Sequence, residues 1–217
     1  MLRNLNVGNH SRQPLKLALW LTACFALIEL VGGLLSGSLA LLADAGHMAS
    51  DIVALMIAIM ASSIADKPAH AQMTYGYGRV KVLAAQLNGL GLWLLSAWII
   101  WEGWQRLLNP PVVDGTIVLV IAVLGLIINL IVLELLHVGP GLNTWASYWH
   151  VLGVALGSVA ALTAGIVIIF TDWMPIDPIL SFLVAAIIGW GGWRLLRETT
   201  LELMEAVPAE VDIKQIE

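Results

Sequence analysis

Apolar residues occur in six long runs that are separated by short polar segments. Each run is about twenty residues long or longer, enough to cross a hydrocarbon core of about 30 Å as an α-helix. The runs are apolar on all sides, whereas the strands of a β-barrel would alternate between apolar and polar residues. The pattern predicts an all-α membrane protein with six transmembrane helices, at about 14–36, 39–63, 82–105, 116–137, 147–170 and 176–196.

Composition supports this prediction and narrows the range of functions. Hydrophobic residues make up 59% of the 217 residues and charged residues 12%, values outside the usual range of soluble domains. A lipid bilayer is therefore an expected partner. Nucleic acid is not, because the net charge is −5 and no basic cluster is present. The chain carries no nucleotide-binding loop and no HExxH zinc motif, so we do not expect an enzyme.

The positions of the basic residues predict the orientation. Nine of the ten Lys and Arg residues lie in the N-terminal tail, between the second and third runs, or near the C-terminus, and only Arg106 lies on the other side. Cytoplasmic loops are enriched in Lys and Arg, so both termini are predicted to be cytoplasmic. We expect a cytoplasmic tail at 1–13, a transmembrane domain at 14–197, and at 198–217 the start of a cytoplasmic domain that is truncated or missing. The short loops favour a bacterial inner membrane.

Ionisable residues inside the apolar runs are the candidate functional residues, because a charged group at membrane depth is costly. His47 and Asp51 are four residues apart and share one helix face, and His150 lies in the fifth run. Two imidazoles and a carboxylate are typical zinc ligands, so these three residues are candidate metal ligands. Asp44, one turn before His47, is an additional candidate ligand. A proton relay, or hydrogen bonds between helices, remains an alternative for these residues.

Four more polar residues lie within or near the ends of the runs. Glu29 and Glu134 are predicted either to line an access path or to lie at the membrane interface. For Asn88 and Asn129, hydrogen bonding between helices is the expected role.

Several segments together resemble the cation diffusion facilitator family, whose members export zinc and related divalent metals. The resemblance covers about residues 14 to 212 and is specific when the segments are taken together. The matching segments are Ser38 to Asp51 (second helix), Tyr75 to Lys81 (basic loop before the third), His150 to Gly153 followed by Ala155 to Ser158 (fifth), and Asp177-Pro178-Ile179 with Leu203 to Pro208 (sixth helix and its exit).

The resemblance implies six helices, a homodimer, and exchange of metal for protons by alternating access. It also implies a four-ligand site, formed by a His/Asp-x-x-x-Asp pair in helix two and another pair in helix five. By position, His47, Asp51 and His150 match three of the four ligands. The fourth position is Val154, where the family pattern has Asp. The transported ion is then expected to be Zn²⁺, with Cd²⁺, Mn²⁺, Fe²⁺ and Co²⁺ as alternatives.

Valine cannot bind a metal, so Val154 leaves the function open. The loss of one carboxylate removes a ligand and a negative charge, and metal affinity should fall. Three hypotheses are compatible with the sequence: a transporter whose site is completed by water or Asp44, a subunit or sensor that no longer transports, and a variant altered here by design. We expect metal export in exchange for protons, with a non-transporting regulatory or partner subunit as the alternative.

Overall fold

The computed structural model contains six α-helices. The structure describes residues 12–70, 73–137 and 144–206, and within them the side chains of 20–70, 73–132, 134 and 153–206. In chain order the helices are α1 (Arg12–Ser36), α2 (Leu39–Ala65), α3 (Val80–Leu108), α4 (Gly115–His137), α5 (Thr144–Thr171) and α6 (Ile176–Leu203).

Each of the six predicted helices is present, which confirms the all-helical architecture. Five helices, α2 to α6, contain segments long and apolar enough to cross a membrane, and the corresponding segment of α1 is the shorter Trp20–Ser36. Within the described ranges the nearest approach to a strand is an isolated bridge between His70 and Met73. The sixth helix continues to Leu203, beyond the expected end of the transmembrane domain at 197. The predictions for the two tails concern mainly residues 1–11 and 207–217, which lie outside the described residues.

Helix α2 occupies the centre of the molecule. It packs against α1, α3, α5 and α6, while α3 pairs most extensively with α6 and α4 pairs with α5. Two apolar cores result: one contains Phe25 and Leu41 and includes residues of α1, α2, α4 and α5. The other contains Leu39 and Ile99 and includes residues of α2, α3, α5 and α6. Because α2 contributes to both cores, any polar residue on it lies near several helices at once.

Glycines allow α3 and α6 to approach closely. A Cβ atom added at Gly89 would lie 3.2 Å from the carbonyl oxygen of Gly192, and one added at Gly192 would lie 3.0 Å from the carbonyl oxygen of Gly89. Each distance is tighter than ordinary van der Waals contact, so larger residues would push the two backbones apart. Small residues at such crossings are typical of helix packing in membranes.

The start of α2 is held by a buried carboxylate from α6. The first amides of a helix have no partner within the helix. Here Asp177 accepts hydrogen bonds from the amides of Leu39 (2.7 Å) and Ala40 (3.3 Å) and from the Ser38 hydroxyl. Arg106, at the end of α3, donates to the carbonyl of Gly37, whose φ of +73° forms the turn between α1 and α2. The beginnings of α2 and α6 are therefore fixed side by side.

Candidate functional site

His47 and Asp51 lie one turn apart on α2, as the sequence predicts. The distance from His47 Nε2 to Asp51 Oδ2 is 3.9 Å, and the two side chains are 15% and 28% exposed. Both groups are thus partly accessible, although the helix that carries them is central. An imidazole and a carboxylate at this spacing can bind one metal ion from the same helix face.

The contacts of Asp44 establish how α5 lies against α2. The Ser158 hydroxyl donates to Asp44 Oδ2 at 3.3 Å. A Cβ atom added at Gly157 would lie 2.7 Å from Asp44 Oδ1, so the carboxyl group rests on the α5 backbone. Since α5 ends at Thr171, shortly before α6 begins beside the start of α2, α5 runs antiparallel to α2.

This register relates the candidate ligand positions on the two helices. Asp44 and Ser158 lie at the same level, where the two helices are in contact. One turn further along α2 is His47, and one turn earlier on the antiparallel α5 is Val154, so these two positions are also level. A further turn leads to Asp51 and to position 150. The backbone at 150 belongs to α5, but the side chain of His150 lies outside the described residues. Val154 is 9% exposed and packs in the interior.

Asp44 faces a different environment from His47 and Asp51. It lies on the same stripe of α2, as expected, but its side chain is 1% exposed and contacts Ser158 and Gly157. The Asp44 carboxyl group is therefore enclosed between α2 and α5. Among the described side chains, no group of three or more His, Cys, Asp or Glu residues is arranged to hold a metal ion.

The sequence-based prediction for Glu29 was wrong. Neither an access path nor the membrane interface describes its surroundings, because Glu29 is 0% exposed and its carboxyl group faces Asp44. Gly125 of α4 makes this burial possible, since a Cβ there would lie 3.2 Å from Glu29 Oε1. The local sequence around Glu29 carries no signal for this burial, because the burial depends on packing against α2 and α4. Glu134, by contrast, is exposed.

Both asparagines form the expected hydrogen bonds between helices. Asn129 of α4 donates to the Ser158 hydroxyl at 2.9 Å, and Asn88 of α3 accepts from the Ser50 hydroxyl at 3.4 Å. Asn129, Ser158 and Asp44 thereby form a chain of polar contacts from α4 through α5 to α2. Sequence reasoning did not identify Ser158 as part of this chain, because a lone serine among small residues is usually a packing residue.

A cavity of about 590 Å³ lies between α2 and α3. On α2 it is lined by Leu55, Ala58 and Ser62, which continue the helix face that carries Asp51. On α3 it is lined by Lys81 and by Asn88 among others. On α2 the cavity therefore begins about one helical turn beyond Asp51.

These features define a helical membrane protein with acidic and imidazole side chains in its interior. A sequence model of the cation efflux transmembrane domain matches residues 15–204. The chain therefore belongs to the cation efflux family, the cation diffusion facilitators. It is a multi-pass integral membrane protein and a transport protein rather than an enzyme, as the sequence predicted.

Three curated relatives illustrate the similarity. The chain is 45% identical over 213 residues to the zinc transporter ZitB of Pectobacterium atrosepticum, covering 97% of this chain and 66% of that protein. It is 43% identical over 216 residues to ZitB of Escherichia coli, covering 98% and 69%. It is 40% identical over 220 residues to the cadmium, cobalt and zinc/H(+)-K(+) antiporter of Bacillus subtilis, covering 100% and 70%. The chain thus spans about two thirds of the length of these relatives, whose bacterial origin agrees with the predicted bacterial inner membrane.

Proposed function

We propose that this chain is the membrane domain of an exporter of divalent metal ions, with Zn²⁺ as the favoured substrate and protons as the exchanged ions. Family membership supports metal efflux, and the names of the relatives support zinc, cadmium and cobalt as substrates. Fe²⁺ and Mn²⁺ are compatible with the same ligand types. The single observation that carries the proposal is the partly exposed His47 and Asp51 pair at the centre of the helix bundle.

The proposed metal ligands are His47, Asp51 and His150. The antiparallel register of α2 and α5 supports this set, because it puts position 150 level with Asp51 and Val154 level with His47. Asp44 is left out of the set, since its carboxyl group rests against Gly157 and Ser158 in the closed interior. Water would then complete the coordination, as it commonly does when a zinc site has three protein ligands.

The proposed topology has six membrane spans and cytoplasmic termini. Lys67, Arg79 and Lys81 follow the end of α2, whereas Arg106 lies at the opposite end of the bundle beside the start of α2. This asymmetry supports a cytoplasmic location for the end of α2. The cavity lined by Ser62 and Lys81 would then offer metal a route from the cytoplasm toward Asp51.

Proton exchange follows from the chemistry of the ligands. Imidazole and carboxylate groups must lose their protons to bind a metal ion, so metal and protons compete for the same atoms. A site that opens first to one side of the membrane and then to the other would exchange one for the other. A homodimer, implied by the resemblance, remains part of the proposal.

Substitution of Val154 tests whether the chain is a weak exporter or a non-transporting subunit. The family pattern has Asp at this position, level with His47, so Val154→Asp would add a carboxylate to the proposed ligand set. Val154→Asn is a matched control, because Asn has nearly the same shape as Asp without its charge. A gain restricted to the Asp variant would identify a charge effect on metal binding.

The experiment is proton-gradient-driven Zn²⁺ uptake into proteoliposomes by the chain and by both variants. We expect the unaltered chain to transport zinc, and Val154→Asp to raise apparent affinity about tenfold, equivalent to about 1.4 kcal/mol. Transport only by Val154→Asp would support the partner-subunit alternative. Absence of transport by all three proteins, when they are folded, would contradict the proposal.

A further inference from the structure

Two acidic side chains outside the proposed ligand set face each other in the interior. Glu29 of α1 and Asp44 of α2 are 0% and 1% exposed, and their carboxyl groups lie next to each other where the two helices pack together. Two ionised carboxylates cannot donate a hydrogen bond to each other and would repel. The contact is favourable only when a positive charge lies between them.

The surroundings of Glu29 provide no such charge. Within the described part of the chain, both Glu29 oxygens are buried and have no hydrogen-bond partner that would stabilise an ionised carboxylate. No ion pair to a basic side chain is formed there by Glu29 or Asp44. Asp44 receives one hydrogen bond, from Ser158, which in turn receives one from Asn129.

Ionisable groups on the neighbouring elements do not change this balance. On α2, the other ionisable groups are His47 and Asp51, which form a contact with each other at 3.9 Å. On α1, Cys24 is exposed. On α4, Glu134 is exposed. The α5 segment 153–171 contains no acidic or basic residue, and the side chain of His150 lies outside the described residues.

The space around the pair suits a proton better than a metal ion. A Cβ atom at Gly125 would lie 3.2 Å from Glu29 Oε1, and one at Gly157 would lie 2.7 Å from Asp44 Oδ1. The backbones of α4 and α5 thus close over the two carboxyl groups. A divalent metal would require further ligands, which Ser158 and the glycine backbones do not supply in a complete shell.

We propose that Glu29 and Asp44 form a proton-binding site, separate from the metal ligands, in which the two carboxyl groups share one proton. The shared proton turns a repulsive contact into a hydrogen bond, and so joins α1 to the polar chain formed by Asp44, Ser158 and Asn129. This site does not depend on whether the chain transports metal.

The test is infrared spectroscopy of the reconstituted full chain, which detects the C=O stretch of a protonated carboxyl group. We expect a protonated carboxyl band at neutral pH that weakens only at alkaline pH. Glu29→Gln should remove or shift this band, and Asp44→Asn should shift it as a second variant. Glu134→Gln, which changes an exposed acid on α4, is the matched control and should leave the band unchanged.

Three outcomes would overturn the proposal. The first is the lack of a protonated carboxyl band in the unaltered chain at neutral pH, which needs no variant to fold. The second is a band that neither Glu29→Gln nor Asp44→Asn alters. The third is a band that Zn²⁺ removes from the unaltered chain, because the pair would then hold metal in place of the proton. Loss of zinc transport alone would leave the proton site standing.

Discussion

Asp177 and Glu29 are both fully buried acidic residues, but their surroundings differ in kind. Asp177 accepts hydrogen bonds from two backbone amides and a hydroxyl at the start of α2, so both of its carboxyl oxygens have donors. Among the described residues, the Glu29 oxygens have no hydrogen-bond donor, and the neighbouring polar group is another carboxyl group, that of Asp44. A buried carboxylate with a complete set of donors stabilises the fold, whereas one without donors must hold a proton or another cation.

The largest effect is expected for Asp177→Ala. The substitution leaves the amides of Leu39 and Ala40 without their acceptor, and each such buried group costs about 1–3 kcal/mol. We expect a loss of about 3 kcal/mol or more, measured by thermal unfolding in detergent. Asp172→Asn, which changes an exposed residue just before α6, is the control. Equal stability of the two variants would show that Asp177 does not hold α2.

Paired amide substitutions test the comparison most sharply. If Asp177 is ionised, Asp177→Asn weakens charge-assisted hydrogen bonds and should cost about 1.5–3 kcal/mol. If Glu29 is protonated, Glu29→Gln retains a neutral group of the same shape and should change the free energy of unfolding by less than about 1 kcal/mol. Chemical denaturation of both variants measures this. A larger loss of unfolding free energy for Glu29→Gln than for Asp177→Asn would contradict the roles assigned to the two residues.

Two glycines of α5 offer a matched test of the packing around Asp44. Gly157→Ala would place a methyl group 2.7 Å from Asp44 Oδ1, whereas a Cβ at Gly153 meets its nearest neighbour, Ile187, at 4.0 Å. Overpacking of this kind typically costs about 1–3 kcal/mol. We expect Gly157→Ala to be destabilised by that amount and Gly153→Ala to be unchanged or slightly more stable. Similar melting temperatures for the two would contradict the close approach of α5 to Asp44.

A smaller effect is expected for Ser158→Ala. It removes the hydroxyl that links Asn129 to Asp44, at a cost of about 1 kcal/mol for a typical hydrogen bond. Thr163→Ala is the control, because its hydroxyl donates to the carbonyl of Val159 in its own helix. Thermal unfolding should distinguish the two variants, and a larger loss for Thr163→Ala would be inconsistent with the polar chain.

The sequence was sufficient to predict the helices but not the partners of their polar residues. Long apolar runs determine a membrane helix almost by themselves, and α2 begins at Leu39 as predicted. The spacing of His47 and Asp51 likewise determines that they share a face. The burial of Glu29 depends on contacts with α2 and α4, which come from distant parts of the chain. Local sequence therefore could not distinguish the interior from the membrane interface for Glu29.

Asp177 illustrates the same limit from the other direction. Its place before Pro178 marks the start of α6, which the sequence shows, and the family resemblance includes it. Its acceptance of amide hydrogen bonds from Leu39 and Ala40 depends on the parallel packing of α6 beside α2. No local pattern in either segment specifies that pairing.

The most direct test of the central claim is equilibrium binding of Zn²⁺ to the purified chain, compared with Asp51→Asn and Glu29→Gln. If the metal site is formed by His47, Asp51 and His150, Asp51→Asn should weaken zinc binding at least about tenfold, while Glu29→Gln should bind zinc like the unaltered chain. Zinc binding that survives Asp51→Asn but is lost in Glu29→Gln would contradict the account, because the metal would then occupy the buried carboxyl pair.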